Sequence, residues 1–199
     1  MKFALLFMLV LIVVVTGCTN KYTSTGKQQE TTVGKVNPAN EQKTESNTPN
    51  DFSLSIGDTY ITLHDREDNI NLEVILGVPV TQTIEKLENA DTYTGSLIKK
   101  LSFDGLHIEL FSPKQEGEAF WVMSMHVFKK GYRTPEGIEV GSTLEEVKTA
   151  YPDIEMTLDG RTDPENGAYE IHDEMQLNFL QFEVKGGLVS EIKFYSLLP

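Results

Sequence analysis

Four histidines, one cysteine and 30 acidic side chains are the residues of this chain whose types could do chemistry. His64, His107, His126 and His172 are scattered, and no two stand at the i, i+4 or H-x-H spacing that aims two imidazoles at one metal ion. His107 and His126 sit beside apolar residues in alternating runs, as half-buried strand residues do. The acidic stretch Asp159 to Gly167 opens like a calcium loop. Arg161 occupies its third position, however, and Pro164 stands where the turn glycine belongs, so it reads as a turn. No G-x-S-x-G, no phosphate-cradling glycine loop and no catalytic cysteine is present. Carboxylate pairs arise from composition alone in so acidic a chain and read as a solvated face. The expectation is a protein without a catalytic group, a metal or a cofactor.

The cysteine is the exception. Lys2 precedes thirteen apolar residues in a row, Phe3 to Val15. That length suits a signal peptide, whereas a spanning helix needs about 20 such residues. The run ends in Val15-Thr16-Gly17-Cys18, which resembles the lipobox of bacterial lipoproteins. The resemblance implies cleavage after residues 1–17 and a diacylglycerol on the Cys18 thiol, holding the protein on the extracytoplasmic face of a cell membrane. Cys18 is the single cysteine, so an exported chain cannot use it for an internal disulfide. Two acyl chains also meet the two-signal requirement for stable anchoring. An uncleaved anchor, or an ordinary secretory signal that leaves a free thiol, are the alternatives.

Residues 18–51 read as the lipidated cysteine followed by a polar tether. They hold Thr, Asn, Gln, Ser, Lys and Glu with almost no large apolar residue beyond Tyr22. Such a chain buries too little to offset the entropy of ordering. As a coil of about 32 residues it spans roughly 30 Å. Residues 52–199 carry 12 Lys and Arg against 26 Asp and Glu, a net of −14. This acidity disfavours nucleic acid and anionic lipid as partners.

Two segments of the acidic part read as helices. In Ser142-Thr143-Leu144-Glu145 the S-x-x-E spacing forms a capping box, Leu144, Val147 and Tyr151 share one face, and Pro152 stops the helix. An earlier helix runs from about Asp65, as N-cap, to Leu76, with Ile70 and Val74 on one face, Gly77 closing it and Pro79 beyond. The period then changes to two. Leu97 to Phe103, Leu106 to Phe111 and Phe120 to Phe128 read as strands, with Asp104-Gly105 as a hairpin turn. Met175 to Val184 and Leu188 to Tyr195 follow, joined at Lys185-Gly186-Gly187. A further strand lies near Met156 or Tyr169 to Ile171. The expected fold is α+β: antiparallel sheets, each with a short helix on one face, in two tandem helix-plus-three-strand units at 52–131 and 132–199. Glu73-Val74 precedes Pro79 by the same spacing as Glu146-Val147 precedes Pro152, an offset of 73 residues that suggests duplication.

Thr134-Pro135-Glu136-Gly137-Ile138-Glu139-Val140-Gly141-Ser142-Thr143, followed by Glu146-Val147, is similar to the GI-x-VG-x-T-x-EEV segment of small extracytoplasmic modules. These are the beta-lactamase-inhibitor-protein-like and SmpA/OmlA (BamE)-like domains. The first half keeps their Gly-x-Pro helix ending as Gly77-Val78-Pro79, while the second has Tyr151-Pro152. The resemblance covers about twenty residues and implies tandem α+β units that bind protein. On that reading Trp121, Met123, Met125, Tyr132 and Tyr169 are candidates to line a protein-binding surface, although each also suits the core. The chain is therefore expected to be a non-enzymatic envelope lipoprotein that binds another protein. A small-ligand or ion sensor is the main alternative, and a hydrolase comes third.

Overall fold

Alternating apolar and polar residues build most of this fold. In the computed structural model, which describes residues 49–114 and 119–197, ten strands and two short helices follow one another. β1 (Ser53–Ile56) and β2 (Thr59–Thr62) form a separate hairpin. Then come α1 (Leu72–Leu76), β3 (Thr81–Lys86), β4 (Leu97–Phe103), β5 (Leu106–Ser112) and β6 (Trp121–Val127). The rest is α2 (Leu144–Ala150), β7 (Glu155–Met156), β8 (Ala168–His172), β9 (Asn178–Lys185) and β10 (Leu188–Ser196). The α+β class expected from sequence is what this element set gives. The signal segment, Cys18 and nearly all of the tether lie outside the described residues.

Strands β3 to β10 form one eight-stranded antiparallel sheet in the order β3-β4-β5-β6-β10-β9-β8-β7. β6 and β10 meet at its centre, with Ile192 opposite Val127 and Phe194 opposite Met125. Each helix is followed by four strands rather than three. β3 is the extra strand of the first half, and both candidates for a further strand, near Met156 and near Tyr169, are present and pair with each other.

The sheet has one dry face. Ile108, Met125, Val127, Phe182, Ile192 and Phe194 are fully buried there. Leu54 and Ile61 of the β1–β2 hairpin, Leu72 of α1, and Val147 and Tyr151 of α2 join the same cluster. At about 25 cal/mol per Å² of apolar surface removed from water, this shared burial is the main source of stability. The helices are too short to persist alone.

Both helices begin later than their sequence signals suggest. α2 is capped by Thr143, whose Oγ1 accepts from the Glu146 amide while the Glu146 carboxylate accepts from the Thr143 amide. The box is thus T-x-x-E, one residue on from the S-x-x-E read in the sequence. Ser142 instead accepts from the Glu139 amide. α1 has only five residues, and its N-cap is Asn71, whose side chain accepts from the Val74 amide. Asp65 caps nothing helical: its carboxylate accepts from the Thr62 amide at the end of β2. With the helix so short, Val74 points to solvent, 79% exposed, and does not share a buried face with Ile70. Gly186 and Gly187 both adopt positive φ in the β9–β10 turn, which fits a two-residue turn that only glycine enters freely.

Candidate protein-binding face

The helices, the β1–β2 hairpin and the core all lie on one side of the sheet. The other side, across β5, β6, β10 and β9, carries a row of side chains fixed by register. His107 stands opposite His126, His126 opposite Lys193, and Lys193 opposite Gln181. The adjoining row runs Glu109, Ser124, Tyr195 and Phe179. Since side chains alternate across a strand, each of these positions faces away from the core.

The polar groups of this face bond to one another. His126 Nδ1 lies 3.3 Å from Glu191 Oε1, and Lys193 Nζ lies 3.3 Å from Glu191 Oε2. Tyr195 donates to Glu170 Oε2 at 2.6 Å, and the Gln181 amide donates to the same oxygen at 3.1 Å. The ring of Tyr195 stacks on Phe179 with 4.9 Å between centroids and 8° between planes. Partial burial holds the His126 imidazole below its ordinary value, outweighing the attraction of Glu191. Lys193 and His107 add to the lowering. Burial, followed by the hydrogen bond to Glu170, raises the Tyr195 phenol.

Between these rows lies a groove of about 410 Å³, lined by His107, Glu109, Met123, His126, Lys193 and Tyr195 among others. The mixture is amphipathic: aromatic and thioether surface beside histidine, lysine and carboxylate. That composition suits contact with another macromolecule, where rigid aromatic area supplies affinity and charge supplies selectivity.

The five sequence candidates divide. Trp121 is half-buried on the open face, its ring 5.2 Å from the Arg66 guanidinium, and Met123 lines the groove. Met125 is fully buried in the core, and Tyr169 is 3% exposed. The Tyr169 hydroxyl donates to the Pro164 carbonyl at 2.8 Å. Neither can line a surface. Tyr132 packs against the core from the β6–α2 connection and donates to the Asp104 carbonyl at 3.2 Å, away from the groove. The cause of the Met125 burial is local. A register shift opposite Glu109 and Leu110 places Met123 and Ser124 both outward, so strict alternation from Trp121 fails at Met125. The polar positions Ser124 and His126 were the available signal, since they alternate with Met125 and Val127.

Among the described residues, no group of three or more His, Cys, Asp or Glu is placed to hold a metal ion. Among them too, no helix is long and apolar enough to cross a membrane. In comparisons with known proteins, no family model, no curated protein and no solved structure matches this chain.

Proposed function

We propose that this chain is a lipid-anchored protein of the cell envelope that binds another protein through the open face of its sheet, without catalysis. The observation that carries the reading is the asymmetry of the sheet. The two helices and the β1–β2 hairpin lie on one side; on the other, the 3-10 turn Asp91–Tyr93 covers Phe111 at one end, and Trp121, Met123, Phe179 and Tyr195 stand half-buried among charges. An aromatic and thioether surface left half-exposed costs solubility, and use as an interface explains it. The anchor supports the same reading from sequence: the lipobox resemblance at Val15 to Cys18 places the acidic part at a membrane surface, at the end of a tether. The strand order, with two four-strand meanders meeting at β6 and β10, agrees with tandem units like the modules that the Gly137 to Val147 segment resembles.

Two experiments test this. Cys18→Ser is expected to abolish metabolic labelling with radioactive palmitate and leave unprocessed precursor; a cleaved, membrane-retained mutant removes the anchor. Intact lipoprotein purified in mild detergent is expected to bring down a protein partner that the double variant Trp121→Ala, Tyr195→Ala does not. The small-ligand reading has the groove in its favour and predicts a small molecule, with no protein, in the same preparation.

A further inference from the structure

The sheet has two edges, and they are built differently. At one, β7 is two residues long, which offers an incoming strand almost nothing to pair with. At the other, β3 runs for six residues in unbroken register with β4, from Thr81 opposite Ser102 to Lys86 opposite Leu97. It contains no proline and no bulge, and its two charges, Glu85 (paired with Lys100) and Lys86, both stand at its C-terminal end. All six of its residues are exposed.

The surroundings of β3 are apolar as well. Val74, Val78 and Val80 lead into it at 79%, 80% and 76% exposure, and Ile84 within it is 52% exposed. Four exposed aliphatic side chains between Val74 and Ile84 thus gather beside a row of backbone amides and carbonyls that no other strand of the described residues pairs. The charge nearby has one dominant sign. Glu73 before the strand, and Glu88 and Asp91 after it, are exposed acids. Residues 66–91 hold six acids against two bases. Of the lysines of β4, Lys99 already binds Glu67 at 2.5 Å and Lys100 binds Glu85 at 3.0 Å.

We infer that β3 is a strand-addition site for an extended, basic segment of another polypeptide, which would become the ninth strand of the sheet. Backbone pairing along β3 supplies the geometry. Apolar residues at alternate positions of the incoming strand would cover Ile84 and the neighbouring valines, since opposed residues of an antiparallel pair share a face. Lysine or arginine in the segment would find the exposed acids that flank the strand, Glu73 ahead of it and Glu88 and Asp91 after it. The excess of acids is what favours this occupant over a second copy of the chain, which would bring the same acids to the same edge. This edge is distinct from the open face, so either can fail without the other.

The test uses the full-length chain in detergent and a fluorescein-labelled peptide of alternating lysine and valine, about eight residues long to match a typical strand. Fluorescence anisotropy is expected to show saturable binding, weakened at least about tenfold, or ~1.4 kcal/mol, by Ile84→Lys. N-methylating alternate peptide amides, which leaves charge intact and removes backbone donors, is expected to cost as much. The glutamate–valine counterpart is expected to bind at least about tenfold more weakly than the parent. Because Ile84 is exposed, Ile84→Lys should keep the circular dichroism spectrum and melting temperature of the parent. Equal binding of the N-methylated peptide would reduce the contact to charge adhesion and overturn the site. So would peptide binding unaffected by Ile84→Lys, or sedimentation showing a dimer that this substitution dissociates, since the edge would then belong to a second copy.

Discussion

His126 occupies the middle of the open face, with Glu191 and Lys193 from β10 and His107 and Glu109 from β5 facing it. Its burial lowers the imidazole below the ordinary 6.5, so the unfolded chain binds the proton first as pH falls. The sign follows directly: the folded state is favoured with neutral His126 above about 6.5 and loses ground as pH drops below it. His126→Gln is expected to flatten the dependence of melting temperature on pH between about 7 and 5, as measured by circular dichroism. A slope unchanged by that substitution would remove His126 from the acid limb. At this scale the sequence was partly legible. His107 and His126 were recognisable as strand residues, and Trp121 and Met123 do lie on the open face. Met125 and Tyr169 are not separable from them by pattern, because the register shift at β6 is set by pairing with β5, and Tyr169 is buried between Met156 and Phe182 of the neighbouring strands. Lys193 and Tyr195 carry no signal of their own in the sequence: they matter only once β10 lies beside β6.

Among the elements, α2 depends most on a single local device. Thr143 and Glu146 satisfy each other's amides, and Val147 then inserts into the core at full burial. Thr143→Ala is expected to cost about 1 kcal/mol, by the usual loss on removing a cap, and to lower the melting temperature by about 3 °C for a part of this size. Ser142→Ala is expected to cost less, since its hydroxyl accepts from the Glu139 amide outside the helix. Reversed costs in thermal melts would restore the S-x-x-E box. The strand Leu97 to Phe103, bounded by the Asp104-Gly105 turn, is legible to the residue, and Pro152 follows the end of α2 as expected. β3 is not legible. Thr81-Gln82-Thr83-Ile84-Glu85-Lys86 has one apolar residue in six, so no burial pattern marks it, and pairing with β4 alone makes it a strand. α1 is shorter than its pattern suggests because acids in a first turn also suit the Arg66–Asp68 turn that precedes Asn71.

For the whole molecule, the division of labour between the two sides of the sheet is the central point. One side is closed by α1, α2 and the β1–β2 hairpin, and Phe182 and Phe194 are fully buried beneath them. Phe182→Ala is expected to cost about 3–5 kcal/mol, and to lower the urea midpoint accordingly. The other side buries less, with Phe111 covered by Tyr93 at one end, and holds the residues proposed to meet a partner. The continuity of one sheet across β6 and β10 joins strands nearly 70 positions apart in the chain, and no local pattern reports such a pairing. The most direct measurement places a photo-crosslinking amino acid at Met123 on the open face, or at Lys148 on α2, in the full-length chain expressed in its native cells. The protein-binding account predicts a discrete protein adduct from position 123, absent from position 148 and reduced by Trp121→Ala. No adduct from position 123, or equal adducts from both sides, would contradict it.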